Sequence, residues 1–463
     1  MLRDRRLLAL LVAETVSTTG TQMTWLALPW FVLTTTGSAG KMTLVLASEA
    51  VGLVSMGLPG GTILTRLGPR WTMMIADGAR APFMLIIPLL YWSGALTFPL
   101  LLGLVFVVGA LSGPYFAAQR TLVPELVGEA ENVVGKANAF LQSAQRVTML
   151  LGPAVAGVLI AWVGAPSVLV IDAATYVVSF VLVGAFVRVA RRVVEPEQRG
   201  RFLDGFRFIV RDPLLRGWSV AFITGDAAWM AFFAAVPVLV VAEYGADPRI
   251  AGWIFAFFGV GAVIGNVVAY RLQDRTDGLT LVATLVYGQA LPLWVLVFDV
   301  PAVAIIGAIF VSGLFNGLVN PAIHTLLTLS SPPAIRARVM PALSAVLMLS
   351  LPLGLAVAGP VLSTAGAHPV LVGFAVTQTA AMTLVSILGL RVRASRRADE
   401  SRLLPNRLPA RSPWRSTRRN RPGGSHSRPL RRATRSATAR TEAPGFAWTQ
   451  DRRRPRCLCS ACR

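Results

Sequence analysis

The sequence predicts an all-α membrane protein with twelve transmembrane helices, arranged as two six-helix bundles of the same orientation. Three observations predict this fold class: the composition, a series of apolar segments and an internal repeat. Hydrophobic residues make up 54% of the 463 residues, charged residues only 14%, and the mean hydropathy is +0.62. Because soluble proteins carry roughly 25% charged residues, the chain lacks the polar surface that a soluble protein of this length needs.

The apolar segments have the length of membrane spans. A helix needs about 20 apolar residues to cross a bilayer core of about 30 Å. Gly109, Gly113 and Pro114 interrupt the fourth segment, but membrane helices tolerate such breaks when neighbouring helices satisfy the freed backbone groups. The predicted spans 1 to 12 are roughly 7–33, 43–65, 72–92, 98–119, 137–163, 167–187, 217–242, 249–271, 279–298, 302–328, 339–364 and 368–390.

The charges of the loops predict the orientation. With a cytoplasmic N-terminus, nineteen Lys and Arg residues before residue 391 fall in cytoplasmic segments, and only Lys41 and Arg249 fall in outside loops. Positive charges concentrate in short cytoplasmic loops. We therefore expect a multi-pass protein of the cytoplasmic (plasma) membrane with both termini in the cytoplasm.

The two halves of the chain resemble each other. Residues 154–170 (AVAGVLIAWVGAPSVLV) and 356–372 (AVAGPVLSTAGAHPVLV) are identical at nine of seventeen positions. Six spans separate the copies, so both have the same orientation, and parallel repeats of this kind place a substrate site between the halves. Further matches at similar spacing pair Gly60 with Gly265, Arg66 with Arg271 and Pro114 with Pro321.

Repeat and charge together predict four parts. They are a bundle at 1–187, a cytoplasmic linker at 188–216, a second bundle at 217–390 and a tail at 391–463. The linker combines eight Arg with aromatic and aliphatic residues, which suggests a short amphipathic helix at the membrane interface. The tail, with 21 Arg and many Pro and Ser, is predicted to be disordered. It either binds an anionic surface or is a non-functional extension; we expect no nucleic-acid partner for the protein.

The residues after span 2 resemble the signature of the major facilitator superfamily. That signature runs Gly, three or four residues, Asp-Arg, one residue, Gly-Arg-Arg. Residues 61–70 read GTILTRLGPR, so Gly61, Arg66, Gly68 and Arg70 match, while Thr replaces the Asp and Pro replaces one Arg. In the family, this cytoplasmic cluster is a latch that holds the two halves together and controls the switch between states.

Asp77 and Arg80, one helical turn apart in span 3, extend the predicted latch. Since Thr65 removes the family's carboxylate, Asp77 is the acidic residue that can replace it. The alternative is a salt bridge at a helix end, which contributes less than about 1 kcal/mol when it is exposed.

Span 5 is similar to the Gly-Pro-x-x-Gly-Gly pattern of the drug–proton antiporter branches. Gly152, Pro153 and Gly157 match, and Ala156 replaces one Gly. The resemblance implies a bend and a close helix approach that limit leakage; the alternative is ordinary small-residue packing. Other stretches resemble the branch of macrolide exporters and the enterobactin exporter, namely 27–29, 35–39, 76–81, 122–127, 136–139 and 141–143.

The resemblance covers about residues 7–391 and is strongest in the first half. It implies a twelve-helix fold that works by alternating access. It also favours export that is driven by proton influx.

Charged residues inside spans are candidates for the transport site, because a charge in hydrocarbon costs several kcal/mol. Asp226 and Glu14 lie near the middle of spans 7 and 1, which are equivalent in the two halves. We expect both to face one central cavity and to carry protons, with Asp226 the stronger candidate. Burial favours a neutral carboxyl group, and a nearby cation favours a charged one. A carboxyl group that alternates between these two environments would therefore bind and release a proton. The alternative is a carboxylate hydrogen-bonded to its helix neighbours.

Three further charges complete the predicted cavity. Arg146, in the middle of span 5, either attracts an anionic substrate or forms a fixed ion pair. Asp172 and Glu49 lie near the outer ends of spans 6 and 2, where we expect solvated side chains. Several aromatic residues either line the cavity or contact lipid and neighbouring helices: Trp25, Trp30, Trp229, Phe232 and Phe233.

No pattern predicts an enzyme, a cofactor or a metal site. The Gly-x-Gly patterns lie in apolar helices, no P-loop is present, and His324 and His368 lack metal-ligand spacing. We expect a monomer that exports small amphipathic compounds, drug-like or secondary metabolites, by proton antiport. The alternatives are an exporter dedicated to one metabolite such as a siderophore, and a membrane receptor that binds its ligand without moving it.

Overall fold

Apolar segments of this length fold as helices because hydrocarbon offers no partner for unpaired backbone groups. The computed structural model describes residues 5–127, 131–187, 199–272, 278–330, 339, 342–343 and 347–403, and these are almost entirely helical. The first part of the linker (188–198) and residues 404–463 of the tail lie outside the described residues.

The described residues of the first half form seven helices. They are α1 (Arg5–Thr36), α2 (Ala39–Ser55), α3 (Gly57–Leu67), α4 (Pro69–Trp92), α5 (Phe98–Val127), α6 (Glu131–Val163) and α7 (Ala165–Phe186). In the linker, α8 spans Arg199–Arg211.

The second half repeats this order with one broken span. Its elements are α9 (Pro213–Glu243), α10 (Pro248–Leu272), α11 (Gly278–Leu285), α12 (Tyr287–Ala290), a 3-10 helix (Leu291–Val297), α13 (Ala302–Ser330), α14 (Ser350–Ala365) and α15 (Ala367–Leu403). Because α15 continues to Leu403, the tail that was predicted to begin at residue 391 starts as helix.

Helical structure is present in each of the twelve predicted segments. Among the described residues, seven helices are long and apolar enough to cross a membrane, and α2 with α3, bent by 56°, makes an eighth. The remaining segments are shorter, broken or more polar. The middle of α1, for example, carries Glu14 among several Ser and Thr residues.

The helix contacts reproduce the internal repeat. Helix α1 packs against α6 and α7 as α9 packs against α14 and α15, and α2 packs against α5 as α10 packs against α13. Gly164 and Gly366, which match in the repeated sequence, occupy equivalent turns with φ of 79° and 78°. Such a left-handed conformation favours glycine, so the sequence match over this turn reflects a shared structure.

Two of the sequence matches lie out of register. Gly113 packs against the backbone of α2 at Leu53, and Gly317 packs against the backbone of α10 at Ala262, so these two glycines are equivalent. Gly60, in contrast, meets Pro114, whereas Gly265 meets Leu314. The pairing of Gly60 with Gly265 and of Pro114 with Pro321 was therefore wrong by several residues, although the helices were paired correctly.

Candidate functional site

Glu14 is held in the interior of the first half. Its side chain is 1% exposed. The Tyr115 hydroxyl of α5 donates a hydrogen bond to Glu14 Oε2 at 2.7 Å, and the Thr18 hydroxyl donates to Oε1 at 3.2 Å. All of these partners belong to the first half. The expectation that Glu14 shares a cavity with Asp226 is therefore not supported by its contacts.

Arg80 lies at the centre of the same region. It forms an ion pair with Asp77, one turn earlier on α4. Its guanidinium carbon lies 4.3 Å from the ring centre of Tyr115 and 4.5 Å from that of Tyr176 on α7. A cation between two desolvated aromatic rings is attracted by both. Helices α4, α5 and α7 thus position one cation together.

This geometry corrects the predicted place of Asp77 and Arg80. Both side chains are almost fully buried in the middle of α4, so they are not part of an exposed cluster with Arg66 and Arg70. Arg70 instead donates to the Gly184 carbonyl oxygen at 2.7 Å. A latch that includes Gly61, Arg66, Gly68 and Arg70 stays a prediction.

Asp172 is completely buried, which contradicts the solvated role predicted for it. The Thr24 hydroxyl of α1 donates to its Oδ2 atom at 2.6 Å, and the Thr175 hydroxyl lies 3.3 Å from Oδ1. Counting residues from the span end placed Asp172 near the headgroups. The packing of α7 against α1, however, removes it from water and lipid alike.

These side chains form one group, which we call the acid cluster: Glu14, Glu49, Asp77, Arg80 and Asp172. Glu49 of α2 is only half-buried, and it interacts electrostatically with Asp172 and Arg80. Among the described side chains, the cluster contains four carboxyl groups and one cation. Because an unpaired charge in a protein interior costs several kcal/mol, four ionised carboxylates around a single Arg are unfavourable. Among the described side chains, the carboxyl groups of the cluster therefore outnumber the cation that can pair with them.

Asp226 is in a different environment. It is half-buried in the middle of α9, and no hydrogen bond or ion pair joins it to any other described residue. Its neighbour Gly225 contacts Gln378 of α15, whose amide donates to the Gly225 carbonyl oxygen at 2.7 Å. The side chain of Arg146 lies outside the described residues.

The second half fills the equivalent positions with aromatic rings. Gly152 packs against Gln22 of α1, and Gly354, its equivalent in the repeat, packs against Met230 of α9. This register makes Pro237 of α9 the equivalent of Pro29 of α1. Because Gly164 corresponds to Gly366, the Thr24–Asp172 hydrogen bond is equivalent to a Phe232–Phe374 contact. These rings stack with their centres 4.7 Å apart. The same contact between the first and last helix of a half is therefore polar in one half and aromatic in the other.

Most of the aromatic residues proposed for the cavity wall pack against one another. Trp229 lies 4.6 Å from Phe258 and 4.9 Å from Phe374 between ring centres, and both Trp229 and Phe232 are buried. Trp30 is also buried, whereas Trp25 is 42% exposed. In this conformation, the aromatic residues of α9 form a core.

The two halves meet through glycines of α6. A Cβ atom on Gly157 would lie 2.7 Å from the Pro248 carbonyl oxygen of α10, and one on Gly252 would lie 2.8 Å from the Pro153 carbonyl oxygen. Gly152 meets Gln22 of α1. Gly152 and Gly157 thus lie close to neighbouring helices, whereas the bend and the role in limiting leakage stay predictions.

A second contact is related to the first by the repeat. A Cβ atom on Gly359 of α14 would lie 2.8 Å from the Thr43 hydroxyl of α2, and one on Gly40 would lie 3.1 Å from Ser363 Cβ. Gly157 and Gly359 are equivalent positions of the repeated sequence. Both contacts lie at the end of the helices that was predicted to face outside.

Several residues that contact the cluster were not predicted from the sequence: Thr18, Thr24, Tyr115, Thr175 and Tyr176. A signal was present in α1, where Thr18, Thr21 and Thr24 recur every three residues and so share one face. Thr21 indeed lies 3.1 Å from the Tyr176 hydroxyl. The two Tyr residues carry no comparable signal, because single Tyr residues are ordinary in membrane helices.

Comparison with known proteins agrees with this architecture. Residues 2–412 match the family model described as "Transmembrane secretion effector". The multidrug efflux pump Tap of Mycobacterium tuberculosis is 25% identical over 405 residues, covering 84% of this chain and 94% of Tap. An MFS-type transporter of Sinorhizobium fredii, y4rN, is 27% identical over 364 residues, covering 77% of this chain and 88% of that protein.

Solved structures share the fold. The nucleoside transporter NupG superposes with a TM-score of 0.62 at 13% identity, covering 82% of this chain and 98% of NupG. A bacterial homologue of the lysosomal transporter Spinster, in an inward-facing and unoccupied conformation, gives 0.63 at 13% identity, covering 84% of this chain and 98% of that one. The chain therefore belongs to the major facilitator superfamily, in the family of transmembrane secretion effectors, and is a multi-pass membrane transporter rather than an enzyme.

Proposed function

We propose that this protein exports small amphipathic compounds, drug-like or secondary metabolites, across the cytoplasmic membrane in exchange for protons. The acid cluster carries the proposal, because among the described side chains it places more carboxyl groups than cations in the interior of one half. The similarity to Tap, a multidrug efflux pump, supports the direction of transport and the class of substrate.

The proton chemistry follows from burial. When the cluster is closed to water, its excess carboxyl groups are stable only in the neutral form. When a conformational change admits water from one side, they ionise and release protons to that side. Each proton that moves inward releases about 2.3 kcal/mol per 100 mV of membrane potential, and this free energy drives export.

The contacts between the halves support alternating access. Among the described residues, the glycine contacts of α6 with α10 and of α2 with α14 close the predicted outer end. A molecule closed at this end receives its substrate from the cytoplasm. Rocking of the halves would break both contacts and open the other side. One chain supplies both halves, so we propose that a monomer is sufficient.

Glu14 and Asp172 are the proposed proton carriers. Each accepts hydrogen bonds from hydroxyl groups of the first half, and each helps to join α1 to a neighbouring helix. A change in charge at either residue therefore changes helix packing, which couples protonation to movement. Asp226 is isolated in the second half and half-buried, so we assign it to contact with cationic substrates.

Proteoliposome efflux with an imposed pH gradient tests the proposal. A susceptibility panel in an efflux-deficient host first selects the compound and separates broad export from export of a single metabolite. We expect Glu14→Gln and Asp172→Asn to abolish gradient-driven efflux while substrate exchange without a gradient continues. Glu243→Gln, which removes an exposed acid at the end of α9, is the matched control and keeps full efflux.

Two results would overturn the proposal. Full gradient-driven efflux by both cluster variants would disprove proton coupling through the cluster. Binding of the compound by the wild-type protein with no transport under any gradient would instead favour the receptor hypothesis.

A further inference from the structure

Helix α8 is fixed to the second half by one of its faces. Ile209 is buried in a cluster that includes Leu215 and Trp218 at the start of α9. Directly after α8, the Asp212 carboxylate accepts hydrogen bonds from the backbone N–H groups of Leu214 and Leu215, both at 2.9 Å. This N-cap leaves little freedom between α8 and α9.

The other face of α8 is exposed and combines apolar and cationic side chains. Phe206 and Val210, one turn apart, are 43% and 45% exposed. Arg207 and Arg211, also one turn apart, are exposed beside them. No described carboxylate forms an ion pair with either Arg. Apolar and cationic side chains together on an exposed helix surface are typical of a helix that lies in a membrane interface.

The position of α8 in the chain indicates what this surface contacts. The helix directly precedes α9 and packs against its first turns, so it lies at the level where this membrane helix meets the headgroups. An amphipathic helix at this level buries its apolar side chains at the acyl boundary and directs its basic residues to lipid phosphates. The guanidinium fork of Arg matches phosphate oxygens.

We propose that the Phe206–Arg207–Val210–Arg211 surface of α8 binds anionic phospholipid in the predicted cytoplasmic leaflet. Phe206 and Val210 enter the acyl boundary, and Arg207 and Arg211 pair with the headgroup phosphates. Because α8 is fixed to α9, the bound lipid holds the start of the second half at the membrane surface. This binding does not depend on which substrate is transported or on proton coupling.

The test measures lipid association directly. The full-length protein is reconstituted with spin-labelled phosphatidylglycerol or spin-labelled phosphatidylcholine, and electron paramagnetic resonance gives the relative association constant of the two lipids. Each Arg near an anionic surface contributes about a fivefold increase in association. We therefore expect Arg207→Gln with Arg211→Gln to reduce the preference for phosphatidylglycerol by at least about tenfold.

Two controls identify the source of the effect. Arg271→Gln with Arg391→Gln removes two exposed Arg residues from other helices at the same end, and it keeps most of the preference. Arg207→Lys with Arg211→Lys preserves the charge, so this variant should keep the preference for phosphatidylglycerol at low salt. The preference should fall at high salt, because salt screens the charges.

The proposal is wrong if the Arg271 and Arg391 control loses as much preference as the α8 variant, because any positive charge at this end would then be sufficient. It is equally wrong if the α8 Gln variant keeps the wild-type preference, or if the Lys variant loses it. Unchanged thermal stability of the variants confirms that the exposed substitutions leave the fold intact.

Discussion

The buried ion pair of Asp77 and Arg80 allows a quantitative test of the acid cluster. The two side chains are 1% and 2% exposed, and Arg80 lies between the rings of Tyr115 and Tyr176. Arg80→Gln leaves the Asp77 carboxyl group without its cation. Asp77→Asn leaves the Arg80 cation buried, although still between the two rings. The double variant removes both charges and leaves neither one unpaired.

The expected magnitudes follow from burial. Breaking a buried ion pair by removing one partner costs about 3–5 kcal/mol. The loss of stability caused by Arg80→Gln should lie at the upper end of this range, because the substitution also removes two cation–π contacts, each worth up to about 2 kcal/mol when desolvated. The second substitution removes the charge that the first one leaves unpaired. The double variant should therefore lose less free energy of unfolding than the two single variants together, by at least about 2 kcal/mol.

Equilibrium unfolding in mixed micelles measures this double-mutant cycle. Arg271→Gln, at an exposed Arg on α10, is the control and should change the free energy of unfolding by no more than about 0.5 kcal/mol. Single effects that add within about 0.5 kcal/mol would show that Asp77 and Arg80 do not interact in the folded protein. The description of the cluster would then be incorrect.

Three further predictions concern other parts of the molecule. Gly40→Cys with Ser363→Cys, in a protein without the tail cysteines, should form a disulfide that closes the predicted outer end, because a Gly40 Cβ atom would lie 3.1 Å from Ser363 Cβ and disulfides join Cβ atoms about 3.5–4.5 Å apart. Transport should stop when the disulfide forms and return when it is reduced. Unaffected transport by the oxidised protein would argue against opening at this end. Asp226→Asn should raise the KM for a cationic compound at least about tenfold, because one charge-assisted contact is lost, and should change the KM for a neutral compound little. An equal rise in KM for both compounds would exclude recognition of charge by Asp226. Gly366→Ala should lower the free energy of unfolding by at least about 1 kcal/mol, since φ is 78° there, and an unchanged midpoint in denaturant would contradict this.

The fold was predictable because it depends on properties that are visible along the chain. The length of the apolar segments and the matching turns at Gly164 and Gly366 are local in sequence. The candidate acids were also predictable, because a charged residue inside an apolar span is rare and expensive. Glu14 and Asp172 are such residues, and their positions within apolar segments are sufficient to single them out.

The partners of these acids were not predictable, because they depend on the rotation of each helix. Glu14 and Asp226 were paired from their similar depth in equivalent spans. When Pro29 is aligned with Pro237, however, the residue of α1 that is equivalent to Asp226 is Thr18, not Glu14. A side chain turns by about 100° per residue around a helix, so an error of four residues changes both the depth and the neighbours. Packing between helices, rather than distance from a span end, decides which acid is buried.

Substrate-induced proton release measures whether substrate binding is coupled to protonation of the acid cluster. Purified protein in a weakly buffered solution with a pH indicator receives the compound selected by the susceptibility panel. We predict that the wild type and Asp226→Asn, at saturating compound, release protons on binding, whereas Glu14→Gln with Asp172→Asn releases none. If the Glu14→Gln with Asp172→Asn variant released as many protons as the wild type and Asp226→Asn released none, the coupling proton would lie in the second half, which would contradict the proposed role of the acid cluster.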